Sequence, residues 1–232
     1  MRVAMKKRLY GDGIGFVELV DAVGDDLTVV NSARVSFGKH KANLNKKDEK
    51  LIKYLIEHKH TSTLEHCFVT FRIKVPLFVR SQHHRHRTWS YNEISRRYTD
   101  FDIEFYEAAF FRTQHKSNRQ ASNEHIRVDP VLENWQMEAT DCVRMHHEAS
   151  LQFFNELIEA GVCREQARGV LPQNMYTEYY ASANLNNILK FIDLRTHEGA
   201  QKEIQDVAFA MLDIITKLYP VTVGAYREIR KK

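Results

Sequence analysis

The chain has 232 residues, of which 43% are hydrophobic and 11% aromatic, and 34 Lys and Arg stand against 30 Asp and Glu. This composition excludes a disordered chain and predicts a single globular domain spanning residues 1–232. The net charge of only +4 argues against a protein that coats nucleic acid. No stretch approaches the ~18 apolar residues of a membrane span. Three scattered cysteines and the absence of a secretory signal predict a reducing, cytoplasmic compartment.

The first half of the chain predicts alternating strands and helices. A strand is expected over 16–23, followed by a helix over 26–35 capped by Asp26, and a second helix over 48–58. Residues 67–75 alternate between apolar and polar side chains, which predicts a strand with one wet face that ends at Pro76. A short helix over 77–84 should then lead into an Arg-rich loop.

The second half predicts mainly helices. Apolar residues recur at steps of three and four over 132–161, at Leu132, Trp135, Ala139, Cys142, His146, Phe153 and Leu157. The same spacing over 204–218 predicts the last helix, stopped by Pro220. Residues 112–128 are almost devoid of apolar side chains and are interpreted as a surface loop. The fold class expected is α+β, with a mostly antiparallel central sheet packed by helices.

Residues 85–98 carry the strongest functional signal. Two Arg clusters in this segment enclose Ser95 and Glu93, and Arg offers a planar fork of donors suited to phosphate. Trp89, Tyr91 and Tyr98 lie between the charges and could offer flat apolar surface to a base. The plainest alternative is a solvated basic face. The mixture of residues instead predicts a site for an anionic and aromatic ligand such as a nucleotide.

Two other motifs are given less weight. Gly11-Asp12-Gly13-Ile14-Gly15 resembles part of a dinucleotide fingerprint but lacks its strand–turn–helix context, so a plain turn is expected. The histidines at 83, 84 and 86 invite a metal interpretation. Consecutive residues seldom supply ligand geometry, and Arg85 among them would repel a cation, so no metal site is predicted.

The Arg-rich segment fits the signature Arg-His-Arg-x-x-Ser-x-Asn-Glu-x-Ser-x-Arg-Tyr without a mismatch, and the chain thereby resembles the flavin-dependent thymidylate synthases. Further blocks that look like this family occur at 16–21, 33–37, 60–66, 164–172 and 194–195. The resemblance extends from about residue 16 to 208, with 112–128 as the exception. It implies that family's fold.

The resemblance implies reductive methylation of dUMP to dTMP. The one-carbon unit would come from 5,10-methylenetetrahydrofolate and the reducing equivalents from NADPH, through bound FAD. It also implies a homotetramer that binds dUMP and folate, with sites assembled from several chains and no role for nucleic acid or membrane.

Residue roles follow from the same resemblance. Arg195 is the catalytic residue that would polarise the uracil ring, and a fixed cation directed at developing negative charge is a general electrostatic strategy. His60 could orient the flavin or the folate. The residues implied for flavin are Ser36, Ser62, Arg85, His86, Arg87, Glu93, Asn184, Asn186 and Lys190. Those implied for the nucleotide are Gln82, Arg85, Glu93, Ser95, Arg96, Arg97, Arg168 and Arg195, with the phosphate on Ser95, Arg96 and Arg97.

The chain departs from the family pattern near residue 184. Where the family commonly has Asn-x-Arg, this chain has Asn184-Leu185-Asn186, and Lys190 replaces a frequent Asn. The missing guanidinium could weaken contact with the adenosine half of the flavin unless Lys190 compensates.

Two other classes of function stay open at this stage. A single-strand nucleic-acid binding module could use the Arg, Tyr and Trp residues as a stacking groove. A metal-dependent nucleotide hydrolase could be built on the histidine clusters. The first predicts a colourless protein with salt-dependent oligonucleotide affinity, and the second predicts sensitivity to chelators.

Overall fold

The computed structural model describes residues 5–230, without the side chain of Glu124. Its strands are β1 (Lys6–Arg8), β2 (Phe16–Val23), β3 (Phe68–Pro76), β4 (Ser90–Glu93), β5 (Phe111–Gln114), β6 (Ser122–Val128), β7 (Val131–Leu132), β8 (Met137–Glu138) and β9 (Tyr176–Asn184). Its α-helices are α1 (Asp26–Arg34), α2 (Lys46–Glu57), α3 (Leu77–His83), α4 (Ala139–Glu159), α5 (Arg164–Ala167), α6 (Leu185–Arg195), α7 (Lys202–Leu218) and α8 (Pro220–Arg230). Short 3-10 turns occupy Val35–Phe37, Thr61–Leu64 and Arg168–Val170.

A five-stranded sheet with the order β1-β2-β3-β9-β4 forms the centre of the fold. Every neighbouring pair in it is antiparallel. Strands β5 and β6 form a separate hairpin, and β7 and β8 form another. The predicted α+β class with an antiparallel sheet packed by helices is confirmed.

The alternation in β3 shows how the sequence selects one face of the sheet. Val69, Phe71, Ile73 and Val75 are at most 1% exposed, whereas the polar residues between them are half-buried. Because successive side chains of a strand point to opposite faces, the apolar set packs together on one side. On the other side, Arg72 forms an ion pair with Glu178 of β9.

Helices α6 and α7 lie against the apolar face of the sheet. Their buried residues include Ile188, Phe191, Ile204, Val207 and Met211, which belong to one core cluster with the strand residues. A smaller second cluster surrounds Phe154, Ala167, Leu171 and Met175 and joins α4 to α5. None of the described helices combines the length and apolar character needed to cross a membrane.

The cap of α1 differs from the prediction by one residue. Asp25, not Asp26, accepts from the backbone N–H of Thr28 and forms the capping box. Asp26 is instead buried, and its carboxylate accepts from the backbone N–H groups of Val221 (2.9 Å) and Thr222 (2.8 Å) and from the Thr222 hydroxyl. Asp26 therefore stabilises the N-terminus of α8.

The helix predicted over 204–218 ends before Pro220 as expected, but it is not the last helix. Pro220 ends α7 but is also the first residue of α8. Proline is well suited to the first helical position, where its missing N–H has no intrahelical acceptor.

The prediction of a surface loop over 112–128 was also wrong, because this region contains the β5–β6 hairpin. Its polar sequence gave no apolar alternation to indicate strands. Arg112 of β5 attaches the hairpin to α7, because its Nη2 donates to both oxygens of the buried carboxylate of Glu203. A contact between residues this distant in sequence cannot be read from local periodicity.

Helix α4 begins later than predicted and shows a different face to the core. Residues 131–138 form the β7–β8 hairpin, so Leu132 and Trp135 lie outside the helix and are exposed. Phe154 is fully buried, whereas the predicted Phe153 is 52% exposed. The periodicity correctly indicated a helix, but some of the residues that are buried in it lie next to those that were predicted to be buried.

The turn expected at 11–15 is confirmed. Asp12 accepts from the backbone N–H groups of Ile14 (2.8 Å) and Gly15 (3.2 Å), and Gly11 and Gly13 have positive φ angles. Glycine adopts such angles without the steric penalty of a Cβ atom. The segment joins the antiparallel strands β1 and β2 and opens no helix, unlike a dinucleotide fingerprint.

Candidate functional site

Arg195 is the last residue of α6 and points back toward the Arg-rich segment. Its Nε donates to Nε2 of His86 (3.2 Å) and its Nη2 donates to the carbonyl oxygen of Gln82 (3.0 Å). Two divergent hydrogen bonds hold the planar guanidinium in one orientation. The side chain is half-buried, and this burial lowers the pKa of Arg195 from its ordinary value.

His86 accepts from Arg195 in its neutral form. Burial lowers the pKa of His86 to about 4, and the adjacent positive charge of Arg195 adds to the effect. With Nε2 as the acceptor, the ring proton is assigned to Nδ1. The structure therefore joins three predicted site residues, Gln82, His86 and Arg195, into one polar group.

A framework of histidine and tyrosine side chains lies next to this polar group. His83 is fully buried, its Nδ1 lies 2.9 Å from the Tyr179 hydroxyl, and burial lowers its pKa. The Tyr91 hydroxyl donates to the backbone oxygens of His83 (2.9 Å) and His86 (3.1 Å). The framework fixes the backbone that carries the site.

The aromatic residues of the segment have different environments. Trp89 is only 7% exposed and packs with Phe71, and Tyr91 is half-buried. Tyr98, which is 81% exposed, is the one of the three that is open to solvent. The prediction that all three offer surface to a ligand is therefore wrong for Trp89.

Part of the predicted loop is strand β4, which pairs with β9 at the edge of the sheet. Glu93 ends β4, and its Oε1 accepts from the Thr177 hydroxyl (2.6 Å) and lies 3.0 Å from Nε of Arg80. Pairing with the sheet makes the position of Glu93 rigid.

Arg85 and Arg87 occupy the turn between α3 and β4, and both are exposed. Neither guanidinium makes a hydrogen bond or ion pair with another residue in the range 5–230. Both are therefore available to an anionic ligand.

The end of the signature forms a tight turn. Oγ of Ser95 accepts from the backbone N–H of Arg97 (3.3 Å). Arg96 is 7% exposed and donates to the carbonyl oxygens of Phe101 (2.6 Å) and Asp102 (3.1 Å). The Arg96 side chain thus stabilises its own loop, and its guanidinium is engaged there.

Arg97 and Arg168 lie on a second exposed surface. Nη2 of Arg97 is 3.3 Å from Oε2 of Glu165 in α5, and Arg164 of the same helix binds Asp100. Arg168 follows directly after α5 and is exposed. No hydrogen bond or ion pair within the described residues connects this surface to the Arg195 group.

The remaining residues predicted for the flavin lie around the N-terminus of α6 and two 3-10 turns. Ser36 and Ser62 are exposed in the turns, and His60, also exposed, precedes the second of them. Asn184 caps α6 by accepting from the backbone N–H of Asn187 (2.9 Å). Asn186 is buried and donates to Oε1 of Glu65 (2.9 Å).

A cavity of about 340 Å³ lies beside α6. Its lining combines apolar residues such as Leu64 and Leu189 with polar and charged ones, namely Lys59, Thr61, Asn186, Lys190, Asp193 and Arg230. A pocket that combines apolar walls with polar groups suits a flat aromatic ligand, and this volume accommodates only a part of a dinucleotide.

Histidines do not gather into a metal centre in the part of the chain that the structure describes. No group of three or more His, Cys, Asp or Glu side chains has the arrangement that would hold a metal ion there. Nε2 of His86 is already an acceptor for Arg195.

Residues that the sequence did not indicate also contribute to the site. Arg80 and Thr177 hold Glu93, and Gln201 binds Gln82 through an amide–amide hydrogen bond of 2.6 Å. Glu203 is a buried carboxylate among the apolar residues of α7. In the sequence, the one signal of this role is that Glu203 occupies a position of α7 where an apolar residue is expected.

Comparison with known proteins identifies a family for this chain. The family model described as "Thymidylate synthase complementing protein" matches residues 18–221. The chain is 42% identical over 214 residues to a flavin-dependent thymidylate synthase of Thermus thermophilus, covering 92% of this chain and 76% of the relative. It is 39% identical over 218 residues to the protein of the same name from Thermosipho africanus, covering 94% and 93%.

A solved structure has a similar fold. The UMP/dUMP methylase PolB from Streptomyces cacaoi, bound with 5-Br dUMP, superimposes with a TM-score of 0.80 at 32% identity, over 96% of this chain and 97% of that one. The matched family model covers most of the chain, including the Arg-rich segment and Arg195. The chain therefore belongs to the flavin-dependent thymidylate synthase family.

Proposed function

We propose that this protein catalyses the reductive methylation of dUMP to dTMP. The one-carbon donor is 5,10-methylenetetrahydrofolate, and NADPH is the reductant through bound FAD. The observation that carries the proposal is the rigid group of Arg195, His86 and Gln82 in a chain of this family. The dUMP analogue bound to the Streptomyces methylase supports a pyrimidine monophosphate as substrate.

The nucleotide phosphate is assigned to the surface of Ser95, Arg97 and Arg168, with the backbone amide of Arg96. Exposed guanidinium groups beside a tight turn provide charge-assisted hydrogen bonds to a dianion. Gln82, Arg85 and Glu93 are proposed to contact the rest of the nucleotide. Arg97 must release Glu165 or share its guanidinium between the carboxylate and the phosphate.

The flavin is assigned to residues of the Arg-rich segment and to residues around the N-terminus of α6. Within residues 5–230 the guanidinium groups of Arg85 and Arg87 have no partner and could bind a diphosphate, and the cavity beside Lys190 and Asn186 could take part of an aromatic ring system. Ser36, Ser62, His86, Glu93 and Asn184 complete the proposed set. When bound, the flavin supplies the hydride transfer that side chains cannot perform.

Arg195 is proposed to polarise the uracil ring. A cation held in place by His86 and Gln82 stabilises negative charge that develops on the base, without reorganising during the reaction. This favours attack by C5 of the uracil without a cysteine nucleophile.

Among the described residues no hydrogen bond or ion pair joins the Arg195 group to the Arg97 surface. We propose a homotetramer built from a single domain per chain, in which His60 orients the flavin or the folate. A cytoplasmic location agrees with three cysteines that remain free thiols.

An omission experiment tests the proposal. Purified protein is incubated anaerobically with FAD, NADPH, 5,10-methylenetetrahydrofolate and dUMP, and dTMP is measured by chromatography. We expect dTMP from the complete mixture and none when any one component is omitted. Substitution of NADH for NADPH and of UMP for dUMP defines specificity. Salt-dependent oligonucleotide binding without flavin or dTMP formation would favour the nucleic-acid alternative.

A further inference from the structure

A polar cavity of about 650 Å³, the hairpin cavity, lies between the β5–β6 hairpin and the segment that follows α6. His115 and Asn123 line it from the side of the hairpin. Thr196 and His197 line it from the opposite side. Because Thr196 directly follows Arg195 in the chain, the cavity adjoins the segment that carries the proposed catalytic cation.

The lining of the hairpin cavity is unsuited to a flavin or pterin ring. Among the described residues that line it, Ala121 has the largest purely apolar side chain, and imidazoles are the only rings. Pockets for large ring systems are lined mainly by hydrophobic and aromatic side chains. The hydroxyl, amide and imidazole groups found here instead suit a polar or charged part of a ligand.

The backbone determines where two of the lining histidines carry their ring proton. Nδ1 of His115 accepts from the backbone N–H groups of Ser117 (3.3 Å) and Asn118 (3.1 Å). Nδ1 of His197 accepts from the backbone N–H of Gly199 (3.0 Å). A ring nitrogen that accepts a hydrogen bond carries no proton, so the proton of each neutral ring is assigned to Nε2.

The bound Nδ1 edges leave the Nε2–H edges of both rings for a ligand. Neither Nε2 makes a hydrogen bond within residues 5–230. Lys116 and Arg119 are exposed in the same hairpin connection as His115, and their side chains have no hydrogen-bond or ion-pair partner in that range. Glu198 is the one carboxylate among the described lining residues. Two oriented donors with two nearby cations favour an anionic group.

We propose that the hairpin cavity binds the anionic end of a co-substrate, with Nε2 of His115 and Nε2 of His197 as donors. The inference rests on the proposed function, which requires two co-substrates with such an end. NADPH carries phosphate groups, and 5,10-methylenetetrahydrofolate ends in glutamate carboxylates. Oxygen atoms of either kind accept charge-assisted hydrogen bonds from N–H groups.

The double variant His115→Asn/His197→Asn removes both donors and keeps the local turns. Oδ1 of asparagine lies at about the position of histidine Nδ1, so it can still accept from the backbone N–H groups of Asn118 and Gly199. No atom of asparagine replaces Nε2. His146→Asn, at an exposed histidine of α4, is the matched control.

Anaerobic isothermal titration calorimetry of the FAD-loaded proteins measures the effect, with NADP⁺, tetrahydrofolate and dUMP as probes. We expect the dissociation constant of NADP⁺ or of tetrahydrofolate to rise about 10- to 100-fold in the double variant, because hydrogen bonds to a charged group are lost. A rise for NADP⁺ identifies a phosphate as the occupant, and a rise for tetrahydrofolate identifies a carboxylate. The dissociation constant of dUMP should not change, and His146→Asn should match the wild type throughout.

Asn123→Asp tests the charge of the occupant independently. Aspartate has the same size, and its Oδ1 can still accept from the backbone N–H of His125 (3.3 Å), so the fold should be retained. The new negative charge in the lining should weaken the same probe about tenfold at low salt. Asn155→Asp, at an exposed position of α4, is the control and should not weaken it.

Unchanged dissociation constants of NADP⁺ and tetrahydrofolate in the folded double variant overturn the hairpin-cavity site alone when the wild type makes dTMP. If the double variant fails to fold, unchanged constants in Asn123→Asp overturn it. Equal weakening of all three probes also overturns it, because that result indicates a general loosening of the protein. Absence of dTMP formation by the wild type would overturn the proposed function, and the hairpin-cavity site with it.

Discussion

The guanidinium of Arg195 donates to a histidine, His86, at 3.2 Å, rather than to a carboxylate. A neutral imidazole fixes the orientation of the guanidinium without neutralising its charge. Burial lowers the pKa of Arg195, so the uncompensated cation is held in a partly dry environment. Such a cation is best placed to stabilise negative charge on a bound ring.

Replacing Arg195 tests that role. We expect Arg195→Ala to lower the turnover number about 100- to 1,000-fold, the loss typical of removing one preorganised charge or donor. Arg195→Lys should not restore it, because a single ammonium cannot reproduce two divergent contacts. Steady-state dTMP formation with flavin content measured in parallel checks both variants. Arg227→Ala, at an exposed arginine of α8, is the control. Normal turnover in Arg195→Ala with flavin bound would contradict the assigned role.

His86 predicts a specific pH dependence of stability. Its ordinary pKa is 6.5 and the folded protein lowers it to about 4. Between these values the unfolded chain binds a proton that the folded chain does not, so His86 makes stability fall as the pH falls from about 6.5 to 4. In His86→Gln this loss should be smaller.

Urea unfolding midpoints across that pH range measure the effect. The exposed His146→Gln variant is the control and should follow the wild type. A His86→Gln protein whose midpoint declines with pH as steeply as the wild type would show that His86 is already protonated or is not coupled to folding.

Arg97 is predicted to act on the phosphate alone. Arg97→Ala should weaken dUMP binding about 10- to 100-fold, the value of a charge-assisted hydrogen bond. Deoxyuridine, which lacks the phosphate, should bind both proteins equally. Calorimetric titrations of the wild type and of Arg97→Ala with dUMP and with deoxyuridine measure these affinities. Equal weakening for nucleoside and nucleotide would place Arg97 elsewhere in the site or in the scaffold.

The adjacent residues Asp25 and Asp26 should differ in their contribution to stability. Asp26→Ala leaves buried donors of α8 without an acceptor and should lower the free energy of unfolding by roughly 2 kcal/mol or more. Asp25→Ala removes an exposed cap of α1 and should lower it by about 1 kcal/mol. Denaturant unfolding of both variants compares them. A larger loss in Asp25→Ala would contradict the assignment of Asp26 to α8.

The sequence predicted best where structure depends on local pattern. The alternation at Val69, Phe71 and Ile73 identified β3 and its buried face, because burial on one side of a sheet imposes a period of two. The Arg-rich segment was singled out by its signature, and Arg195 by a separate block that resembles the same family, so their roles stay predictions.

Features that depend on distant partners were not predicted. Arg112 lies in a polar segment that forms strands. Its ion pair with Glu203 joins two residues that are 91 positions apart in the chain. Arg96 was expected to bind the phosphate, yet both of its terminal nitrogens donate hydrogen bonds to carbonyl oxygens of its own loop. Asp26 was expected to cap α1 but is bound to the start of α8. In each case a polar group has one of several possible partners, and only the folded arrangement decides which.

A single-turnover experiment tests the central claim most directly. Flavin-loaded protein is reduced anaerobically, mixed with dUMP and 5,10-methylenetetrahydrofolate, quenched, and assayed for dTMP against the amount of flavin. The proposed function predicts dTMP in stoichiometric amount from the wild type and almost none from Arg195→Ala in the same time. Reduced flavin and bound dUMP that persist in the wild type without any dTMP would contradict it.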